Sequence, residues 1–144
     1  MNLEEFNKWL EAASDRLEST DYQPGLQLVK PIIQKRIDQN FSSKSDADGK
    51  AWPPRKDKKK HPLLVLSGLM KNSIVTGSGG GYEDKGPTHL TLGIDAGSVP
   101  YAGYQEFGTR RIPARSYANV NDQTLDEATE VFADWVFDNV ILGG

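Results

Sequence analysis

The chain has 144 residues, a formal net charge of -3 and no cysteine. That length suits one domain with a modest core; the missing cysteine excludes disulfides and thiol chemistry, and the acidic balance excludes a chain that coats a polyanion with its whole surface. No apolar run approaches the roughly twenty residues of a membrane span, and the acidic start Met1-Asn2-Leu3-Glu4-Glu5 argues against a secretory or transit leader.

Residues 2–19 predict a helix. Asn2 is placed as its cap, with Glu5 completing a capping box, and Leu3, Phe6, Leu10, Ala13 and Leu17 form one apolar stripe with Trp9 beside it. Residues 22–41 predict a second helix, with Leu26, Val29, Ile33, Ile37 and Phe41 along one face. Pro24 suits its first turn. Pro31 removes an N–H and crowds the carbonyl four residues back, so the helix either kinks near 27–31 or starts near Lys30. The two helices are expected to pack as a hairpin, stripe against stripe.

A loop is expected over 42–61, containing the turn signal Asp48-Gly49, then Trp52-Pro53-Pro54, then Arg55-Lys56-Asp57-Lys58-Lys59-Lys60-His61. Trp52 should anchor it by burying its ring, leaving the lysines mobile. Next come the apolar run Leu63-Leu64-Val65-Leu66, a single helical turn at Leu69-Met70 capped by Ser67, and a strand at 72–76. Residues 77–87, rich in glycine, read as a flexible connection to a second strand over Thr88 to Ile94, where Leu90, Leu92 and Ile94 alternate with Thr91 and Gly93.

Tyr101, Tyr104 and Phe107 recur every three residues on a short helix that Gly108 stops in a left-handed conformation. The expected result is a corner that buries its rings and presents Arg110 and Arg111. A short strand at 117–120 and a last helix over about 122–141 complete the chain. That helix has Thr124 and Glu127 spaced as a capping box and a stripe of Leu125, Ala128, Phe132, Trp135 and Val136. The class is α+β: a small antiparallel sheet with a long β-hairpin, packed by an N-terminal helical hairpin and a C-terminal helix, in one domain over 1–144 with mobile loops about 42–61 and 77–87.

Catalytic and metal signatures are weak. The glycine run lacks the Gly-Lys-Ser/Thr order of a phosphate loop, since Lys85-Gly86-Pro87 runs the other way. Asp46-Ala47-Asp48-Gly49 begins like a calcium loop, but Lys50 falls at a ligand position and Trp52-Pro53 replace later ones. His61 and His89, the only histidines, belong to no spaced ligand set. No enzyme, metal or cofactor is predicted. The basic run at 55–61 is the best nucleic-acid candidate, with Trp52 able to stack on a base; a loop that orders in an assembly is the favoured alternative. Arg110, Arg111 and Arg115 are interface candidates, or else partners of the last helix. Residues 121–144 carry Asp122, Asp126, Glu127, Glu130, Asp134 and Asp138 and no Lys or Arg. A basic loop and an acidic helix in one chain could draw copies together head to tail, although on charge alone simple solubility is the favoured reading.

Three segments carry a resemblance: Asp46-Ala47-Asp48-Gly49-Lys50-Ala51-Trp52-Pro53-Pro54, the stretch from Pro62 to Ile74 that contains Leu66-Ser67-Gly68-Leu69, and Tyr101-Ala102 through Phe107-Gly108-Thr109 to Ile112-Pro113-Ala114-Arg115. In order and spacing they resemble the signatures of the tailed-phage tail-completion (virion morphogenesis) proteins, Mu-type and P2-type members included. Ser116-Tyr117 stand where many relatives have Pro-Phe. The resemblance implies a structural protein of the head-tail neck, located in the virion tail after assembly in the host cytoplasm. It also implies a homo-oligomeric ring, commonly six-fold, that completes the tail end and contacts other tail or neck proteins. Trp52, Lys58, Lys59, Lys60, Arg110, Arg111 and Arg115 are then the expected interface residues. Gly68, Leu69, Tyr101, Phe107 and Gly108 are expected to be fold residues. Membrane and nucleic-acid partners are not expected, a small nucleic-acid-binding module being the alternative function.

Overall fold

The computed structural model describes residues 1–54, 56 and 68–143. Helix α1 (Leu3–Ser19) starts where Asn2 and Glu5 exchange hydrogen bonds: each side chain accepts from the other's backbone N–H at 2.9 Å. This reciprocal cap satisfies two of the N–H groups that a helix start leaves unpaired. Helix α2 (Gln23–Ser43) is continuous through Pro31, so Pro31 neither starts nor ends it; Pro24 lies in the first turn. The missing bond at Pro31 is tolerated inside a helix whose buried face, Gly25, Ile37, Asn40 and Phe41, is held by tertiary packing.

Helix α3 (Leu69–Val75) replaces the strand expected at 72–76. Asn72-Ser73-Ile74-Val75 has β-branched character, but Met70, Ser73 and Ile74 lie at helical spacing and all three are buried. Burial of that face outweighs a propensity difference of under about 1 kcal/mol per residue. The hairpin is therefore displaced along the chain. Strand β1 (Gly81–Gly86) pairs antiparallel with β2 (His89–Ile94), Gly81 opposite Ile94 and Gly86 opposite His89. Much of the segment expected to be a flexible connection, 77–87, is thus itself a strand.

Helix α4 (Ala102–Phe107) is short, as its spacing predicts, and ends at Gly108. Helix α5 (Asp122–Val136) passes into a π-helical turn, Phe137–Ile141, so the helical span matches the expected 122–141. Its cap is Asn121, whose carboxamide oxygen accepts from the Thr124 N–H at 2.9 Å and the Thr124 hydroxyl at 2.7 Å, in place of the Thr124–Glu127 box. No strand forms at 117–120.

The sheet is held by α2. Lys30 Nζ lies 3.2 Å from Glu83, and Gln27 donates to the same carboxylate at 2.9 Å. The Gln27 bond first, then Lys30 and Lys85, lower the Glu83 pKa against the opposing effect of desolvation. The Gln23 side-chain amide reaches the Gly86 and His89 carbonyls, and the Tyr22 N–H donates to Pro87 at 2.8 Å. On the other side α2 meets α5. Tyr22, Phe132 and Trp135 pack with centroids 6.1–6.3 Å apart. A Cβ at Gly25 would stand 2.5 Å from Trp135 Cε3, so glycine is what lets the helices come this close.

The hairpin of α1 and α2 forms, but not stripe against stripe. The element on which α1 chiefly packs is the C-terminal π-helical turn. Arg16 donates from Nε to the Val140 carbonyl at 2.7 Å and from its terminal nitrogen to Ile141 at 2.8 Å. Of the predicted stripe only Ala13 is buried; Leu3, Phe6, Leu10 and Leu17 are exposed.

Candidate assembly surface

One core cluster draws on all three segments of the resemblance. Trp52 comes from the first, Met70 and Ile74 from the second, and Ala102 from the third; Tyr117 just beyond the third, Ile37 and Phe41 of α2, and Val99 complete it. Phe41 sits at the centre, edge-on to Trp52 at 5.7 Å and tilted against Tyr117 at 5.4 Å, arrangements favoured by the ring quadrupoles.

The polar edges of these rings are all satisfied by backbone. Trp52 Nε1 donates to the Ser116 carbonyl at 2.9 Å, and the Tyr117 hydroxyl donates to the Ala102 carbonyl at 2.9 Å. Burial, and secondarily the charge of Glu106, push the Tyr117 phenol well above its ordinary pKa. Arg115 returns to the same loop, donating to the Pro53 and Pro54 carbonyls at 3.0 and 3.2 Å. The first and third segments thus clasp each other in both directions.

Four polar residues hold this clasp, none of them among the expected site residues: Glu106, Asn40, Asn119 and Asn121. Glu106 accepts from the Ser116 hydroxyl (2.9 Å), the Tyr117 N–H (2.8 Å) and the Ala118 N–H (3.1 Å). Asn40 is fully buried, and its amide reaches the Tyr117 and Asn119 carbonyls at 2.9 Å each. The Asn119 carboxamide oxygen accepts from the Ala47 N–H at 3.0 Å, and Asn121 donates to the Ala47 carbonyl at 3.1 Å. The Asn119–Asn121 spacing is the one signal that could have been read: alternate residues of an extended segment aimed at one neighbour.

The expected interface residues divide accordingly. Trp52 is a core side chain, 6% exposed, which corrects its placement at an interface and leaves no face for a base to stack on. Arg115 is partly buried in the clasp. Arg110 and Arg111 are exposed, and among the described residues neither forms an ion pair with the acids of α5. Lys58, Lys59 and Lys60 lie outside the described residues. Gly68 takes φ +79° at the N-cap of α3, and Leu69 packs against the core.

The corner at α4 departs from expectation in one respect. Its helix forms, and Gly108 caps it through a hydrogen bond to the Tyr104 carbonyl at 2.9 Å, with φ +74° but an extended ψ. Its rings are not buried: Tyr101 and Tyr104 are exposed, and Phe107 is 82% exposed. Spacing at three residues puts rings on one side of a short helix but does not say whether that side faces inward. Here Ala102 is the buried residue.

Open clefts flank α2, and two of them differ in character. One of about 460 Å³ lies against the start of α5 and is lined in part by Lys35, Arg36, Gln39 and Glu127. The other, about 380 Å³ and mostly apolar, runs between α2 and β2 past Leu26, Val29, Ile33, Leu90, Leu92 and Val120. Among the described residues no group of three or more His, Asp or Glu side chains is placed to hold a metal ion, and no helix is long and apolar enough to cross a membrane. No family model, curated protein or solved structure matches the chain.

Proposed function

We propose that this chain is a structural component of the head-tail neck of a phage or prophage, completing the tail end and enabling head-tail joining by assembling as a ring with copies of itself. It acts by binding, without turnover of a substrate. The resemblance of the three segments motivates the proposal. The observation that carries it is the row Tyr101, Tyr104 and Phe107 standing exposed beside Arg110 and Arg111. Aromatic and arginine side chains dominate binding energy at protein interfaces, and rings held in water on a short rigid helix lose little freedom on docking.

The test mixes the purified protein with isolated phage tail tubes and examines them by negative-stain electron microscopy. Density at one end of the tube is expected for the wild-type chain and is expected to be lost in Arg110→Glu/Arg111→Glu. Tubes that remain bare with the wild-type chain overturn the proposal, as does tight duplex-DNA binding that falls steeply with salt while the tubes stay bare.

A further inference from the structure

Two exposed surfaces of this molecule are chemical complements. The first is the N-terminal half of α1. Leu3 is 75% exposed, and Phe6, Trp9 and Leu10 are also exposed, with Phe6 and Trp9 stacked at 6.1 Å. The helix carries Glu4, Glu5, Glu11, Asp15 and Glu18 against Lys8 and Arg16. Lys8 is paired with Glu4 at 3.0 Å, and Arg16 is turned onto the Val140 and Ile141 carbonyls. An apolar strip with negative flanks is left facing water.

The second surface is the α4 corner: Tyr101, Tyr104 and Phe107, followed by Arg110 and Arg111. The one acid of α4, Glu106, is turned inward onto Ser116, Tyr117 and Ala118. Among the described residues neither Arg110 nor Arg111 forms an ion pair.

We propose that the α1 face of one copy docks on the α4 corner of the next, head to tail. The contact joins apolar side chains to aromatic rings and acidic flanks to free guanidinium groups. Pairing of α1 with a second α1 would set acidic flanks against each other. A membrane surface favours a helix with basic flanks, and those of α1 are acidic. A contact between unlike faces repeats from copy to copy and closes into a ring when its rotation allows. This inference rests on the assembly reading and adds to it which faces meet.

The absence of cysteine makes the test direct. Leu10→Cys and Phe107→Cys chains are mixed under a mild oxidant, with Leu3→Cys as a second α1 position; all three sites are exposed, and retained folding is checked by circular dichroism. The expected product is a heterodimer between L10C and F107C in excess over both homodimers, and a ladder of linked chains when both cysteines are in one chain. Arg110→Glu/Arg111→Glu in the F107C chain should lower heterodimer yield at least about tenfold, and Glu11→Lys/Glu18→Lys in the L10C chain should restore it. Predominant L10C homodimers, a yield indifferent to charge reversal, or co-sedimentation of the wild type with lipid vesicles overturns the head-to-tail contact. Tail-tube binding, scored on the same samples, separates the two proposals. Tubes capped without the cross-link sink this contact and leave the neck function standing; the cross-link on tubes that stay bare does the reverse.

Discussion

Trp52 and Arg115 each hold the backbone beside the other. The Trp52 indole donates to the carbonyl of Ser116, next to Arg115, while the Arg115 guanidinium donates to the carbonyls of Pro53 and Pro54, next to Trp52. Prolines supply no N–H, so their carbonyls find donors elsewhere. Removing the ring with Trp52→Ala should cost about 3–5 kcal/mol through lost burial and the cavity left against Phe41. Trp52→Phe keeps an aromatic edge there but strands the Ser116 carbonyl, at a cost of about 1–3 kcal/mol. Urea denaturation of the two variants checks the order. Equal losses would mean that the hydrogen bond carries the whole effect and the ring's burial adds nothing, and a Trp52→Phe protein as stable as wild type would mean that the hydrogen bond adds nothing.

Asn40 makes a second prediction. It is buried to 0% exposure and joins α2 to the 117–119 segment. Asn40→Leu preserves much of the volume but leaves two carbonyls without that donor, so a loss of about 1–3 kcal/mol is expected even though the replacement is more apolar. Asn119→Ala frees the Ala47 N–H from the same network. The double mutant should lose less than the sum of the single losses, because the two side chains share partners. Additive losses in a denaturation cycle would argue that they act independently.

The capped helices were legible because their signals are local. Asn2 with Glu5, and the apolar spacing of α1 and α5, specify helices whatever lies nearby. What covers a stripe is not local. The α1 stripe reads as core in sequence yet stands largely in water, since the helix rests on the C-terminal turn, held by Arg16, and of the stripe only Ala13 is buried. The rings of α4 fail in the same way. The 72–76 segment departs from expectation for a different reason: its β-branched residues speak for a strand, and only the core shows that Met70, Ser73 and Ile74 share a buried face. The clasp of Glu106, Asn40 and Asn119 leaves little mark in the sequence beyond the Asn119–Asn121 spacing, because it joins residues up to 79 positions apart through backbone groups.

Tyr117 should make stability fall in strong alkali. Burial raises its folded-state pKa above the ordinary 10.0. Between those two values the unfolded chain has lost the phenolic proton and the folded chain retains it. Its contribution is therefore intact below pH 10.0 and is lost as the pH rises from there through the folded pKa. An ultraviolet absorbance titration should show one tyrosine delayed until the protein unfolds. Tyr117→Phe should remove the delayed step. Ionisation of Tyr117 without that delay, with the fold intact, would contradict its burial against the Ala102 carbonyl.

Gly108 and Gly103 make a paired prediction about how the aromatic corner is set. Gly108 has φ +74° and ψ 171°, a region that side chains other than glycine's scarcely enter. A Cβ there would also stand 2.8 Å from the Ala114 nitrogen and 3.0 Å from the Ile112 carbonyl oxygen. That carbonyl accepts from the Thr109 N–H at 2.8 Å, and the Thr109 hydroxyl in turn accepts from the Arg111 and Ile112 N–H groups. Gly108→Ala should therefore cost about 1–3 kcal/mol and loosen the turn that carries Arg110 and Arg111. Gly103 lies within α4 with nothing inside 4 Å of its would-be Cβ, so Gly103→Ala should leave stability unchanged or raise it by up to about 1 kcal/mol through helix propensity. Thermal unfolding of both variants, with hydrogen exchange at Thr109, Arg111 and Ile112, checks the pair. A Gly108→Ala protein as stable as wild type, with those amides still protected, would show that the turn does not depend on glycine.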